Sequence, residues 1–223
     1  MLFHTSVLDL KYREVDPKIW LYYSPLSLFI IFNLQSLNLF IYLYSLFAVL
    51  AVFFAFYLVG FMGGADLFAI MILSLANAKT SPLFFGHFSK LGMEPLIVVL
   101  FSSALIVASG IVNFLTTFKY TAGMGLYSRL ILSLTAKRVR MDKFLKSKFL
   151  FPLSVIDENG NESVRIGFSV EENDSDWRER YRELVSKGIV SPDRYIWVAW
   201  GVPVIPFIFL GYVLSLFVGI PYR

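Results

Sequence analysis

An all-α polytopic membrane protein with a small α+β cytosolic insertion is the fold class this sequence predicts, and three features lead there. The 223-residue chain is 57% hydrophobic, 17% aromatic and only 16% charged, with a mean hydropathy of +0.67; soluble domains carry about 25% charged residues. Between Ile19 and Phe118 the only formal charges are Asp66, Lys79, Lys90 and Glu94. Charge then returns as one block from Lys119 to Tyr195, ahead of a last apolar run. Five spans are visible, and the chain divides into an N-terminal stub (1–18), a bundle of spans (19–118), a cytosolic segment (119–195) and a C-terminal span (196–223).

Taken in order, MLFHTSVLDLKYREVDPK is not a secretory signal peptide, because its charges follow the apolar lead and no long apolar core runs to a small-residue cleavage site. Eight residues precede Asp9, whereas a helix needs about twenty to cross a bilayer. Ile19 to Leu37 is the first complete span, with Trp20, Tyr22 and Tyr23 at the end where interfacial aromatics belong. Asn33, Gln35, Ser36 and Asn38 turn the chain, and Leu39 to Val59 returns without a charge. Phe61 to Lys79 would form a helix about 27 Å long, with Asp66 roughly a turn and a half inside and Lys79 snorkelling at the far end. Thr80 to Met93, with Pro82, Gly86 and Gly92, reads as an outer loop or partly re-entrant segment. Pro95 to Phe118 is the fourth span, with Glu94 an interfacial carboxylate near Lys90 at its mouth.

Lys119 to Lys148 alternates Arg129, Lys137, Arg138, Arg140, Lys143, Lys146 and Lys148 with Leu, Ile, Met and Phe, the pattern of a basic amphipathic helix lying on a membrane surface. Beside a span, these cations face lipid rather than nucleic acid. Alternation at Val164, Ile166, Phe168 and Val170, together with Asn159-Gly160, predicts a β-hairpin. A short helix follows, capped at Ser175 or Asp176, with an apolar stripe of Trp177, Tyr181, Leu184 and Val185 and a stop at Gly188. The last span, Ile196 to Ile220, contains Pro203 and Pro206, so it is expected to enter the membrane kinked or partly unwound.

Orientation follows from the cations. Of the 20 Lys and Arg, 17 fall before the first span or between Lys119 and Arg194, leaving only Lys79, Lys90 and Arg223 for the other side. The excess of positive charge marks the cytosolic face, which places Asp9, the Gly63-Gly64-Ala65-Asp66 stretch and the polar segment there. No cysteine is present, which excludes a disulfide framework, a thiolate metal site and a cysteine nucleophile. His4 and His87 are far apart and lack ligand spacing, so neither a metal site nor a cofactor is expected.

An ionisable side chain at membrane depth is a functional hypothesis by default, and Asp66 is flanked by long apolar runs. Asp9 is expected at the same face and similar depth. Two neighbouring aspartates do not both ionise easily; the ionised one takes a proton from water while the protonated one polarises a carbonyl, which hydrolyses a peptide without metal or covalent intermediate. Gly63 and Gly64 would let a substrate backbone approach the helix start. The same residues also fit a small-residue helix contact followed by an interfacial aspartate. In a third reading Asp66 couples proton or cation movement in a transporter, with Asn33, Asn77 and Asn113 the available polar partners.

Several stretches resemble one family. Leu8-Asp9-Leu10-Lys11-Tyr12-Arg13-Glu14-Val15-Asp16 is similar to the first-aspartate motif of archaeal preflagellin and prepilin peptidases, where Asp is followed by a basic residue and Glu-Val or Glu-Ile. Gly63-Gly64-Ala65-Asp66 resembles their second motif, a variant of the GxGD signature shared with presenilin-type intramembrane proteases. Gly201-Val202-Pro203-Val204-Ile205-Pro206-Phe207 is similar to their proline-containing last span. The resemblance implies six spans, with one before the first aspartate, where this sequence has MLFHTSVL. It also implies Asp9 and Asp66 as catalytic pair, substrate contact at Gly63, Gly64 and Ala65, and cytosolic-side cleavage of cationic class III signal peptides from archaellin or type IV pilin precursors. Bacterial relatives carry a cysteine-rich segment and N-methylate the new terminus; without that segment, protease activity alone is expected. The implied partners are those precursors and membrane lipid, with no nucleic acid.

Overall fold

A computed structural model describes residues 1–59, 62–169 and 172–221. Phe61 as the start of a span, Val170 as the end of a strand alternation and Arg223 as an outer cation therefore lie outside the described residues. The first half of the chain forms α1 (Leu2–Tyr12), α2 (Pro17–Tyr23), a 3-10 segment Ser24–Phe29, α3 (Ile30–Asn33), a second 3-10 turn Leu34–Ser36, α4 (Leu39–Leu58), α5 (Gly64–Ala76), α6 (His87–Leu91) and α7 (Glu94–Thr117). After a 3-10 turn at Phe118–Thr121 come α8 (Leu126–Thr135), β1 (Ala136–Arg140), α9 (Met141–Phe144), β2 (Leu150–Pro152), β3 (Ser154–Ile156) and β4 (Glu162–Val164). The chain closes with α10 (Asp174–Ser186), β5 (Tyr195–Trp200) and α11 (Val204–Phe217). These elements form two compact units, one of Met1–Ile106 with Pro203–Arg223 and one of Val107–Val202.

The first unit is helical. Its longest apolar helix, α4, has 20 residues of mean hydropathy 2.5, and α7 with its 3-10 extension gives 28 residues of mean hydropathy 2.4. Those two are long and apolar enough to cross a membrane, where five such spans were expected. Pro25 breaks the first: with no N–H to give to the ladder, it sits at the start of the 3-10 segment, and Ile19 to Leu37 becomes short α and 3-10 pieces. α5 ends at Ala76, with Asn77 as its C-cap, rather than at Lys79, and Lys79 Nζ donates instead to the Ser36 carbonyl at 3.4 Å. The last apolar run starts as strand, so α11 begins only at Val204. Pro203 precedes it and Pro206 falls in its first turn, where a missing N–H breaks no intrahelical bond, so the helix is short rather than kinked.

Residues 80–86 form the expected loop, and residues 83–85 dock it on the end of α11. The N–H groups of Leu83, Phe84 and Phe85 donate to the carbonyls of Leu216, Phe217 and Val218 at 3.3, 3.2 and 3.1 Å, supplying donors to carbonyls that a helix end leaves unsatisfied. Glu94 also departs from expectation. It is 1% exposed and accepts from Thr80 Oγ1 at 2.8 Å and Ser215 Oγ at 2.5 Å, so it is a buried, hydroxyl-bonded carboxyl rather than an interfacial partner of Lys90. Nearby, Tyr212 Oη donates to Asn77 Oδ1 at 2.9 Å. Where α7 crosses α11, Gly211 admits the neighbouring backbone: a methyl there would sit 2.7 Å from Ser102 N and 2.8 Å from Val98 O.

In the second unit the expected basic helix from Lys119 to Lys148 is divided. α8 stops at Thr135 because β1 is captured by β5 in an antiparallel pair running from Ala136 opposite Ala199 to Arg140 opposite Tyr195; strand pairing outweighs local helical periodicity. The sheet order is β1-β5-β2, with β3 and β4 a separate hairpin. Ile196 and Val198 face Met141, Phe144 and Tyr181, while Trp197 and Ala199 face Leu132 and Leu153, so both sides of β5 are covered. The hairpin turns as expected, but Asp157 Oδ1 organises it, accepting from the Asn159 and Asn161 N–H at 2.9 and 2.8 Å, and Gly160 supplies the left-handed residue (φ 82°). Ile166 and Phe168 fall beyond its strands. α10 forms where its stripe predicted, capped two residues early by Asn173 and followed by left-handed Gly188.

Two predictions follow from this packing. Gly211→Ala should separate α7 from α11 and destabilise by about 1–3 kcal/mol, whereas Gly110→Ala, whose methyl would meet only ordinary contacts at 3.9 Å, should not; thermal melts in one detergent compare them. Burial alone would raise Glu172, but Arg165, the Ser169 N–H and the Trp177 indole hold its carboxyl below the usual range. That stabilisation is complete above the unfolded carboxylate range and disappears as pH falls through the lower folded value. Hydrogen exchange around residues 165–177 should therefore speed up at acid pH in the wild type, and should be fast already at neutral pH in Glu172→Ala.

Candidate active site

Asp66 is placed by the start of α5. Gly63, extended at φ −83° and ψ 161°, is the cap residue, and Asp66 is the third residue of the helix. Having no side chain, Gly63 cannot cap α5; Asp66 instead reaches back, its Oδ2 accepting the Gly63 N–H at 3.2 Å, the return half of a capping box. The residue is 9% exposed, and the positive end of α5 faces its carboxylate.

Asp9 comes from the C-terminal half of α1, which packs along α11. The backbone N–H of Ile205, in the first turn of α11, faces its carboxyl, so this carboxyl too lies by a helix start. Its Oδ2 is buried with no hydrogen-bond partner among the described residues. The two aspartates lie within reach of one another's charge, and Arg13, one turn beyond Asp9, acts electrostatically on it. Residues 57 positions apart in sequence are thus brought together.

The small residues beside them divide. A methyl on Gly63 would come only within 4.0 Å of Asp66 Oδ2, and one on Gly64 would lie 3.8 Å from Tyr57; neither glycine has a positive φ. Internal packing among the described residues therefore does not require them, since a methyl at either would meet only ordinary contacts. Ala65 instead packs partly against the core of the first unit. The Ile205 N–H is a site feature that side-chain reading missed; the available signal was the bracketing of Ile205 by Pro203 and Pro206, which leaves Val204 and Ile205 as the first-turn donors.

A pair of carboxyls brought together from separate helices is the arrangement that one class of protein, the aspartic hydrolases, relies on. Sequence comparison narrows the class. Residues 1–112 match the type IV leader peptidase family, and residues 128–220 match the archaeal peptidase A24 C-terminus, type II. The chain belongs to the type IV leader peptidase family, and is an archaeal prepilin or preflagellin peptidase of aspartic type. No curated protein sequence matches it. Family membership leaves the transporter reading of Asp66 without support.

Gly63→Ala should leave the melting temperature unchanged within about 0.5 kcal/mol, as substitutions without a structural conflict do, and should slow precursor cleavage about tenfold or more, equivalent to about 1.4 kcal/mol of lost transition-state binding. Parallel melting and cleavage assays on one preparation separate the two effects.

Proposed function

We propose that the chain removes the short cationic class III signal peptide from archaellin or type IV pilin precursors at the cytosolic membrane face, with Asp9 and Asp66 as catalytic pair and without N-methylation. The observation that carries this reading is the meeting of two carboxyls from separate helices, Asp66 at the start of α5 and Asp9 facing the start of α11, beside the exposed Gly63. One carboxylate removes a proton from water, and the oxygen of that water bonds to the scissile carbonyl carbon. The other carboxyl, protonated, hydrogen-bonds the carbonyl oxygen as negative charge develops there. Collapse of the tetrahedral intermediate breaks the C–N bond, and the departing amine takes a proton from the pair. Gly63 and Gly64, with Ala65 behind them, receive the substrate backbone.

The count of cations supports the cytosolic assignment, since 17 of 20 Lys and Arg group with the two aspartates. A cationic leader is attracted to a site of two carboxyls. The absence of cysteine supports proteolysis without methyl transfer. In this reading the five apolar stretches are membrane-embedded, with α5 and α11 reaching only part of the way through. Lipid contact is supported in the second unit, where Arg138 lies 5.4–5.8 Å from the rings of Tyr120, Tyr195 and Trp197 and Arg129 lies 3.8 Å from Phe118, the aromatic and basic mixture of a membrane interface.

Membranes carrying the wild type should convert a pre-archaellin or prepilin to its mature form, and Asp9→Asn and Asp66→Asn should each reduce that rate by at least about 10²–10⁴-fold, the range of a lost general acid or base. Normal cleavage by either variant, read by gel shift and N-terminal sequencing, would remove that residue from the mechanism.

A further inference from the structure

From Pro95 to Met141 the chain carries no Asp or Glu, yet it holds Lys119, Arg129, Lys137, Arg138 and Arg140. Arg140 is neutralised by Asp142 at 3.0 Å and Asp193 at 2.5 Å. The other four make no ion pair among the described residues, and each lies on an aromatic ring instead. A cation over a ring keeps its charge, so this part of the second unit presents positive charge that no carboxylate of the chain balances.

Three of these cations meet at one turn. The 3-10 segment Phe118–Thr121 ends the 28-residue apolar helix, and it supplies both Lys119 and the rings that the two arginines cover. Arg129 lies 3.8 Å from the Phe118 ring, and Arg138 and Lys119 lie 5.7 and 4.8 Å from that of Tyr120. Arg129 Nε is buried with no hydrogen-bond partner among the described residues.

The same turn is fastened to α8. Asn113 of α7 donates through Nδ2 to the carbonyls of Ser133 and Ala136, both at 2.9 Å, and Thr121 Oγ1 lies 3.2 Å from Ser133 Oγ. These ties fold α8 back beside the last turns of α7. A helix that met only water there would turn polar side chains outward, but Leu126 is 74% exposed, Tyr127 68% and Leu130 41%. An outward apolar face bordered by basic residues is the pattern of a helix seated between headgroups and acyl chains.

Charge decides which headgroup. A zwitterionic one brings a cation of its own and gives uncompensated arginines little net attraction, whereas an anionic one neutralises them, and a guanidinium takes two phosphate oxygens at once. We propose that the turn Phe118–Thr121, with α8 and β1 beside it, binds the headgroup of an anionic phospholipid. Leu126, Tyr127 and Leu130 enter the acyl border, and Lys119, Arg129 and Arg138 hold the phosphate. This inference rests on the membrane-embedded reading proposed above and adds the class of lipid that the second unit selects.

The test exposes the full chain, purified in mild detergent, to an equimolar mixture of phosphatidylglycerol and phosphatidylcholine, and counts the retained lipids by native mass spectrometry. Wild type should keep mainly phosphatidylglycerol. Arg129→Gln and Arg138→Gln should each lower the ratio of the two lipids about fivefold, the weight of about 1 kcal/mol per cation near an anionic surface, while Arg138→Lys preserves it. Arg140→Gln makes the same change in net charge at a cation already paired, and should leave the ratio as it is. Arg138 is exposed, so Arg138→Gln should melt as wild type does and carries the test by itself if Arg129→Gln is unstable. Equal retention of both lipids by wild type, a ratio that Arg138→Gln leaves unchanged, or one that Arg140→Gln lowers as far, would overturn the inference. Flotation with vesicles of phosphatidylcholine alone separates the two claims: a chain that does not float removes the membrane-embedded reading, whereas one that floats while keeping both lipids alike leaves that reading standing and the inference fails.

Discussion

The first unit depends on how helix starts are satisfied in apolar surroundings. A helix leaves its first backbone donors without carbonyl partners, and in this unit there is little polar side-chain material to meet them. At α5 the acceptor is a carboxylate, Asp66 folding back onto the Gly63 N–H, and at α11 the Ile205 N–H faces the Asp9 carboxyl that α1 brings up. Asp9 thereby adds an electrostatic link between α1 and α11 to their packing. The groups set at these two helix starts are also the ones proposed as the catalytic pair. Substituting either therefore touches both stability and rate, and each assay needs a folding control.

Much of this was readable in the sequence wherever the signal was local. α4, the apolar body of α7 and α10 follow from uninterrupted hydrophobicity and a 3.6-residue stripe and appear close to their expected bounds, while the turn at Gly160 forms as its residues indicate but its second strand stops at Val164. The glycines and aspartate at the start of α5 stood out as a candidate because a lone charge among apolar residues has few explanations. What was hidden depends on partners distant in sequence. β1 looked helical until β5, nearly sixty residues later, paired with it. Glu94 looked interfacial because the hydroxyls that donate to it, on Thr80 and Ser215, lie 14 and 121 residues away in sequence. Arg13 looked like one more surface cation, and its left-handed backbone, φ 58°, is not written in residue type.

The second unit shows a different economy of polar groups. Its buried tyrosine, Tyr181, is pushed up to about 12 by burial and stays neutral at all ordinary pH, donating its hydroxyl to the Ser154 carbonyl. Ser154 Oγ in turn accepts the Trp197 N–H at 2.8 Å. One serine thus links the hairpin, α10 and the central strand, which is why a sheet this small holds its register between two apolar clusters.

α11 meets other segments at both ends: the Ile205 N–H faces Asp9 at one, and at the other the carbonyls of Leu216, Phe217 and Val218 accept from the N–H groups of Leu83, Phe84 and Phe85. Between them lie about 20 Å of helix, packed at mid-length against α7 at Gly211. A helix is stiff along its axis, so the chain between α5 and α7, which caps one end, bears on the placement of the other end beside Asp9.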